Sequence, residues 1–248
     1  MSDIVSALIL FGVGAVSGFM NVVAGGGSSL TLPALIFLGL DSTVANGTNR
    51  IAVIMQNVSA VYAFKREKYS QFKLSWKLSI ITLPGTIAGA VFALNIGDEL
   101  FEKILGVIMI GVIISMIVPN PKNKSNGSTD KIPWTVHLSM FGIGFYGGFI
   151  QVGIGFMIMA ALQFLMKLNL LMVNVHKVFI VLFLTVPAFI VFLISGNINW
   201  EFGISLAIGN AFGAWWAAKL SVKKGESFIK TALIVTVLIM ALKLLDIF

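Results

Sequence analysis

The chain carries the same pattern twice, and the loops that follow the two copies have opposite charge. Phe11-Gly12-x-Gly14-x-x-x-Gly18-Phe19-x-Asn21-Val22-x-x-Gly25 aligns without a gap on Phe141-Gly142-x-Gly144-x-x-x-Gly148-Phe149-x-Gln151-Val152-x-x-Gly155. After a shift of two residues the match resumes, setting Leu40 on Leu168, Asn46 on Asn174, Gly85 on Gly213 and Gly97-Asp98 on Gly225-Glu226. The copies therefore span nearly the whole chain, as a duplication would. In a strongly apolar protein, internal repeats of inverted orientation mark a transporter whose site lies where the halves meet.

Composition supports a membrane setting. Apolar residues make up 58% of the chain and charged residues 11%, against about 25% charged in a soluble domain. The stretches 44–64, 75–96, 102–118, 134–154, 178–195, 202–218 and 228–245 are each near the ~20 residues needed to cross hydrocarbon. The expected fold is an all-α polytopic membrane protein of two inverted-topology repeats, with about 8–10 hydrophobic helical segments, some short or re-entrant. The first stretch is read as retained and not as a signal peptide. Asp3 replaces the usual basic start, and Gly25-Gly26-Gly27 fits no small-residue cleavage site well. The chain has no cysteine, which excludes disulfides, thiolate catalysis and sulfur metal ligands. Its net charge of +7 reads as a positive-inside bias, not as a nucleic-acid surface.

Loop charge predicts the orientation. Lys65-Arg66-Glu67-Lys68, with Lys73 and Lys77 beyond it, belongs inside, and the break holding Asp98, Glu99 and Glu102 belongs outside. In the second copy the counterpart of the basic loop, Ser195-Gly196-Asn197-Ile198-Asn199, has no cation, whereas Lys219, Lys223 and Lys224 occupy the counterpart of the acidic one. Equivalent loops on opposite faces require an odd number of crossings per half, the inverted arrangement. The expected organisation is a first transmembrane repeat over 1–119, a flexible cytoplasmic linker over 120–132 with Lys122, Lys124 and Lys131, and a second repeat over 133–248. Both termini are then outside an inner (plasma) membrane that the chain crosses many times.

Each half opens with a pair of stretches, 4–23 with 28–40 and 134–154 with 156–168. The second of each pair is short: thirteen helical residues cover only ~20 Å. Two crossings and a re-entrant hairpin both preserve the odd count. Gly25, Gly26 and Gly27 sit at the apex, where unpaired backbone groups are tolerated only inside protein or beside water, so the apex is expected near the midplane.

The candidate substrate-binding residues cluster around these features. Asn21, Gly25, Gly26, Gly27, Ser28 and Ser29 place amides, hydroxyls and free N–H groups at the start of a short helix, a position that attracts anions. Single glycines also serve close helix packing. The second copy offers Gln151 with Gly153 and Gly155 but lacks the serines. Asn46, Asn49, Arg50 and Asn57 form one stripe of a helix with Thr48 beside it, and the partner stretch presents Asn174, His176, Lys177 and Thr185. A cation inside a span usually faces a cavity or a partner. Arg50 suits an oxyanion through parallel hydrogen bonds, and Lys177 supplies a point charge; snorkelling to an interface is the competing role for Lys177.

His176 is a candidate for proton handling because its reference pKa, ~6.5, lies near physiological pH; His137 lies at the expected cytoplasmic entry of 134–154. Asp41, Asp98, Glu99, Glu201, Glu226 and Asp246 all fall at segment ends. A mid-span carboxylate relay or sodium ligand is therefore disfavoured. Pro84 with Gly85, Gly213 and Pro187 mark bends that serve either hinging or packing. Trp76, Trp134 and Trp200 begin segments, as an aromatic belt requires. No catalytic set, metal cluster or cofactor motif is expected.

The arrangement of Gly18-Phe19-x-Asn21 through Gly25-Gly26-Gly27, then Asn46-Gly47-Thr48-Asn49-Arg50, with the degenerate copy around Gly148 to Gly155, resembles the TauE/SafE sulfite exporter family over essentially the full length. The resemblance implies an inner-membrane anion permease associated with export of sulfite, organosulfonates or other sulfur-containing anions. Many members have Gly-Thr-Ser where this chain has Gly47-Thr48-Asn49.

The leading expectation is a permease or exporter for a small sulfur-containing anion, alternating access by rocking one half against the other about a site at the repeat interface. The partners implied are a small anionic substrate and the lipid bilayer, with no nucleic acid; a homo-oligomer is compatible with this. The alternatives are a permease for another small solute or a cation, an anion channel, or a membrane sensor without coupled transport. A membrane enzyme lacks support, since no acid/base pair, Ser/His/Asp set or metal-spaced cluster occurs within the spans.

Overall fold

The computed structural model describes residues 3–69, 72–117 and 132–244, and every regular element in them is helical. Chain order is α1 (Asp3–Val23), α2 (Ser28–Phe37), α3 (Ser42–Arg66), α4 (Phe72–Asn95), α5 (Asp98–Ile117), α6 (Trp134–Phe149), α7 (Ile154–Ala160), a π-helical turn (Ala161–Leu165), α8 (Leu170–Ile194) and α9 (Trp200–Leu244). Gly225 breaks α9, with φ 69° and ψ −161°. The expected linker lies outside the described residues except for Ile132.

The protein is an all-α polytopic membrane protein, as its sequence predicts. Three helices, Val5–Val23, Phe72–Asn95 and Leu170–Ile194, are each long and apolar enough to cross a bilayer. The helices are turned inside out relative to those of a soluble protein. On α4 the outward face shows Ile80, Ile87 and Val91, while Ser75, Ser79, Thr82 and Thr86 are buried. The Ser79, Thr82 and Thr86 hydroxyls donate back to the carbonyls of Ser75, Ser79 and Thr82 at 2.7, 2.7 and 3.0 Å. With hydrocarbon outside, association rests on close packing and on satisfying polar groups internally.

Glycine supplies the close packing. Gly14 and Gly18 on α1 face Leu206 and Asn210 of α9, and Gly209 and Gly213 of α9 face Phe11 and Ala15. The same crossing recurs between α6 and α4: Gly144 and Gly148 face Thr82 and Thr86, and Gly85 and Gly89 face Phe141 and Phe145. A Cβ on Gly18 would lie 2.8 Å from the Asn210 carbonyl carbon, and one on Gly148 would lie 2.8 Å from that of Thr86. In these crossings Gly85 holds the place of Gly209, and Gly89 that of Gly213. The linear alignment, which put Gly85 on Gly213, is one helical turn out of the packing register because turns one pitch apart present the same face.

The pairings define two bundles. Thr48 of α3 accepts from Asn199 N at 2.8 Å, and Ser59 donates to Ala211 O at 2.8 Å, so α3 runs parallel to α9, as α1 does. Phe72 stacks on Phe179 and Trp76 packs on Phe183, so α4 runs parallel to α8, as it does to α6. Gly47, near the start of α3, lies against Phe192 and Asn197 at the end of α8, so the two bundles run in opposite directions. Every helix in these bundles is antiparallel to its counterpart in the other copy, which is the geometry that the charge flip predicts.

Each bundle mixes the copies: α1 and α3 come from the first and α9 from the second, and α6 and α8 from the second with α4 from the first. Rocking one sequence half against the other is therefore not a rigid-body motion of this fold. Charge follows the bundles. Lys65 and Arg66 at the end of α3 sit with Lys219 of α9, for Arg66 and Lys219 both lie over the Trp215 ring, at 6.0 and 5.8 Å. At the other end Ser42 donates to Glu102 at 2.6 Å and the Thr43 hydroxyl to Asp98 at 2.9 Å.

Candidate functional site: two helix breaks and their buried cations

Each copy interrupts its first pair of helices at the centre of the molecule. The ten residues of α2 extend about 15 Å, half the thickness of the hydrocarbon, and α7 with its π-helical turn is little longer. Gly25 has φ +92°, and Gly27 lies back against Ser17 and Asn21, so the chain reverses over Gly25–Gly27. In the second copy Gln151 and Gly153 take φ 67° and 71°. The Tyr146 hydroxyl donates to the Val152 carbonyl and holds this turn to α6. The two turns touch: a Cβ on Gly25 would lie 2.6 Å from the carbonyl carbon of Gly155. These glycines are aligned in the repeat, so the pseudo-twofold relating the copies passes between them.

Breaking a helix exposes carbonyls at one end and N–H groups at the other. The carbonyls are met by the two buried cations. Arg50, 0% exposed, donates through Nη1 to Gly147 O at 3.1 Å and through Nη2 to Gly148 O at 2.5 Å and Asn46 Oδ1 at 3.4 Å. Asn46 Nδ2 donates to Phe149 O at 2.7 Å. The last carbonyls of α6 are thus bound by α3, and the guanidinium also lies 4.7 Å from the Phe192 ring centroid. Lys177, 2% exposed, does the same for α1, donating to Val22 O at 2.7 Å and Asn174 Oδ1 at 2.8 Å. A cation at a helix C-terminus is stabilised by the dipole as well as by the hydrogen bond. The burial of Lys177 excludes snorkelling.

The N–H ends are less well satisfied. Ser29 N and Leu30 N donate to Gly26 O and Gly27 O at 3.1 and 3.0 Å, and the Ser29 hydroxyl donates to Gly26 O at 2.6 Å. Among the described residues no protein acceptor meets the N–H of Gly26, Gly27 or Ser28, and the Ser28 hydroxyl and the Asn21 amide make no hydrogen bond.

The remaining predicted residues divide between engaged and free groups. Thr48 caps Asn199, Asn57 donates to Val53 O at 2.7 Å, and Gln151 Nε2 donates to Thr185 Oγ1 at 2.5 Å. Asn49 is fully buried with both amide atoms unpartnered. His176 lies off this centre, its Nδ1 2.8 Å from Ser75 Oγ in the α4–α8 crossing. Two residues that the sequence patterns did not single out share the condition of Asn49: Asn210 has both amide atoms buried and unpartnered, and Gln56 has its Nε2 so. An Asn inside the apolar stretch 202–218 was a readable signal for the first. Among the described residues the buried ionisable side chains are Arg50, His176 and Lys177, with no buried carboxylate.

Residues 10–244 match the family described as Sulfite exporter TauE/SafE. A "Probable membrane transporter protein" of Haemophilus influenzae is 27% identical over 239 residues, covering 95% of this chain and 93% of that one. One from Sinorhizobium, ORF9, is 26% identical over 249 residues, with 99% and 95% covered. YfcA of Escherichia coli K12, of the same description, is 26% identical over 239 residues, with 96% and 88% covered. No solved structure matches the chain.

Proposed function

The chain belongs to the sulfite exporter TauE/SafE family, and from that premise we propose that it is a permease for a small sulfur-containing anion, of the sulfite or organosulfonate class, bound beside the point where the two helix breaks meet. The observation that carries this is the back-to-back contact of Gly25 and Gly155 with one buried cation behind each break. Discontinuous helices meeting near the midplane are where transporters hold their cargo. A core whose described residues hold buried cations and no buried carboxylate favours a negative one.

The site residues take distinct parts in this reading. Asn21, the Gly25-Gly26-Gly27 turn and Ser28 present amide, N–H and hydroxyl donors at the start of α2, Ser29 braces the turn through Gly26 O, and Asn49 adds its free amide. Arg50 with Asn46, and Lys177 with Asn174, hold the helix ends and supply positive potential from one layer behind. Thr48, Asn57, Gln151 and Thr185 fix the frame. His176 is the group available for proton handling. Access alternates when the α1–α3–α9 bundle moves against the α4–α6–α8 bundle, because these are the packed bodies. The protein sits in an inner membrane with its basic end cytoplasmic and both termini outside, and it moves its cargo without altering it.

The deciding experiment is uptake into proteoliposomes of labelled sulfite, sulfate, thiosulfate and a simple sulfonate, with and without a pH gradient. Saturable uptake of one, recovered chemically unchanged, supports the reading. Uptake no faster than in empty liposomes for all four overturns the sulfur-anion assignment.

A further inference from the structure

Among the described residues three carboxamides have a fully buried amide atom and make no hydrogen bond at all, and all three belong to one bundle. Asn49 and Asn210 are buried with both amide atoms unpartnered, and Gln56 is buried with Nε2 unpartnered. An unmet buried polar group opposes folding, and a native fold carries few without a reason.

Their placement converges. Asn49 and Gln56 lie seven residues apart on α3, about 20° from one another around the helix, away from Thr48 and Ser59, which bond α9. Asn210 is on the stripe of α9 that includes Gly203, seven residues before it, where Gly203 packs on Ile51 and Thr48. The backbone of Asn210 is the surface against which Gly18 of α1 packs, and its neighbour Ala211 accepts from Ser59. The amides therefore lie on the buried faces of α3 and α9, at the junction of α1, α3 and α9.

At the related junction in the other bundle Asn174 Nδ2 and Gln151 Oε1 are unpartnered, but each of these side chains holds another hydrogen bond. The counterpart of Asn49 is Lys177, bonded to Val22 and Asn174. That of Gln56 is Leu184, and that of Asn210 in the glycine crossing is Thr86, whose hydroxyl bonds Thr82 O at 3.0 Å. Elsewhere among the described residues, apart from Ser221, each unpartnered buried atom belongs to a side chain that holds another hydrogen bond.

We propose that the α1–α3–α9 junction is the route by which an anion leaves the central site, with Asn49, Gln56 and Asn210 as its hydrogen-bonding steps, and that the α4–α6–α8 junction is not a route. This rests on the anion-permease reading and extends it to two residues and one side of the molecule. Neutral amides suit such a route because they donate to an oxyanion without a formal charge to trap it, and passage requires binding weak enough to release.

The chain has no cysteine, so single-cysteine variants need no background removal. Asn210→Cys, Gln56→Cys and, as the comparison, Thr86→Cys are made in the full chain, checked for monodispersity, and treated in liposomes with sulfonatoethyl or trimethylammonioethyl methanethiosulfonate. A thiol without a pathway reacts only through local opening, so the Asn210 and Gln56 variants are expected to react with the anionic reagent roughly tenfold or more faster than the Thr86 variant. They are also expected to favour it over the cationic reagent. Equal rates at all three positions, or preference for the cation, overturn the proposal.

Asn210→Leu and Gln56→Leu supply the second measurement. Unmet structural amides would give higher thermal midpoints with uptake unchanged, which also overturns the proposal; a pathway gives midpoints held or raised with saturable uptake lost. If the wild type moves none of the tested anions, the permease reading fails on that result, while the labelling contrast still decides whether the α1–α3–α9 junction is an anion route.

Discussion

Arg50 and Lys177 are not aligned residues, yet each ties down the end of the other copy's first helix. Lys177 of α8 holds Val22 O of α1, and Arg50 of α3 holds Gly147 O and Gly148 O of α6. The repeat aligns Lys177 with Asn49, one position before Arg50. One structural role thus falls to adjacent positions in the two copies. Each cation also joins the two bundles, since α1 and α3 belong to one and α6 and α8 to the other.

Removing either cation should cost stability as well as transport. Arg50→Ala leaves the α6 carbonyls without a donor, at about 1–3 kcal/mol for each group left unmet. Arg50→Lys keeps the charge and at least one bond and should fall between wild type and Arg50→Ala in thermal midpoint. Lys177→Met, similar in volume, should lower the midpoint as Arg50→Ala does. Midpoints in detergent equal to wild type for both Arg50→Ala and Lys177→Met would show that the helix ends do not depend on these cations.

The glycine crossings should be intolerant and their neighbours tolerant. Gly18→Ala and Gly148→Ala put a methyl group against backbone at 2.8 Å, a kind of overpacking that costs about 1–3 kcal/mol. Gly12→Ala and Gly142→Ala meet nothing within 4 Å and should leave the thermal midpoint unchanged or slightly raised. Equal effects from the two sets would refute the crossings.

Cross-linking separates the bodies that move from those that do not. Phe11→Cys with Phe212→Cys joins α1 to α9 inside one bundle, where the native rings lie 6.5 Å apart, and bridging by a short bifunctional maleimide should leave uptake intact. Val22→Cys with Met159→Cys joins α1 to α7, which packs on α6 and α8 of the other bundle; in the native chain both residues contact Lys177 Nζ. Bridging that pair should stop uptake, and reduction of a cleavable linker should restore it. Continued uptake with the bundles bridged would rule out their relative motion as the transport step.

Orientation is open to labelling of intact cells with a membrane-impermeant maleimide. Ser195→Cys, exposed just after α8, should label from outside; Lys223→Cys, exposed just before the Gly225 break of α9, should label only after permeabilisation. The reverse pattern would invert the topology without altering the fold.

The sequence alone determined the membrane setting, the duplication, its inverted sense and the positions of the helix breaks. Each follows from a local property: long apolar stretches, a gapless motif repeat, loop charge and a run of glycines. It also singled out Asn49, Arg50 and Lys177, because a polar group within an apolar span is conspicuous wherever the chain folds. Only the tertiary structure decided that α1 pairs with α9 and α6 with α4. A glycine face states that something packs closely and does not name its partner, and registers one turn apart look alike along a chain. The same limit applies to the polar groups. Whether Arg50 meets a substrate or a carbonyl, and whether Asn210 and Gln56 are satisfied or free, depends on backbone brought in from the other copy. Hydrogen bonding in a membrane interior is settled by neighbours distant in sequence, which residue type does not encode.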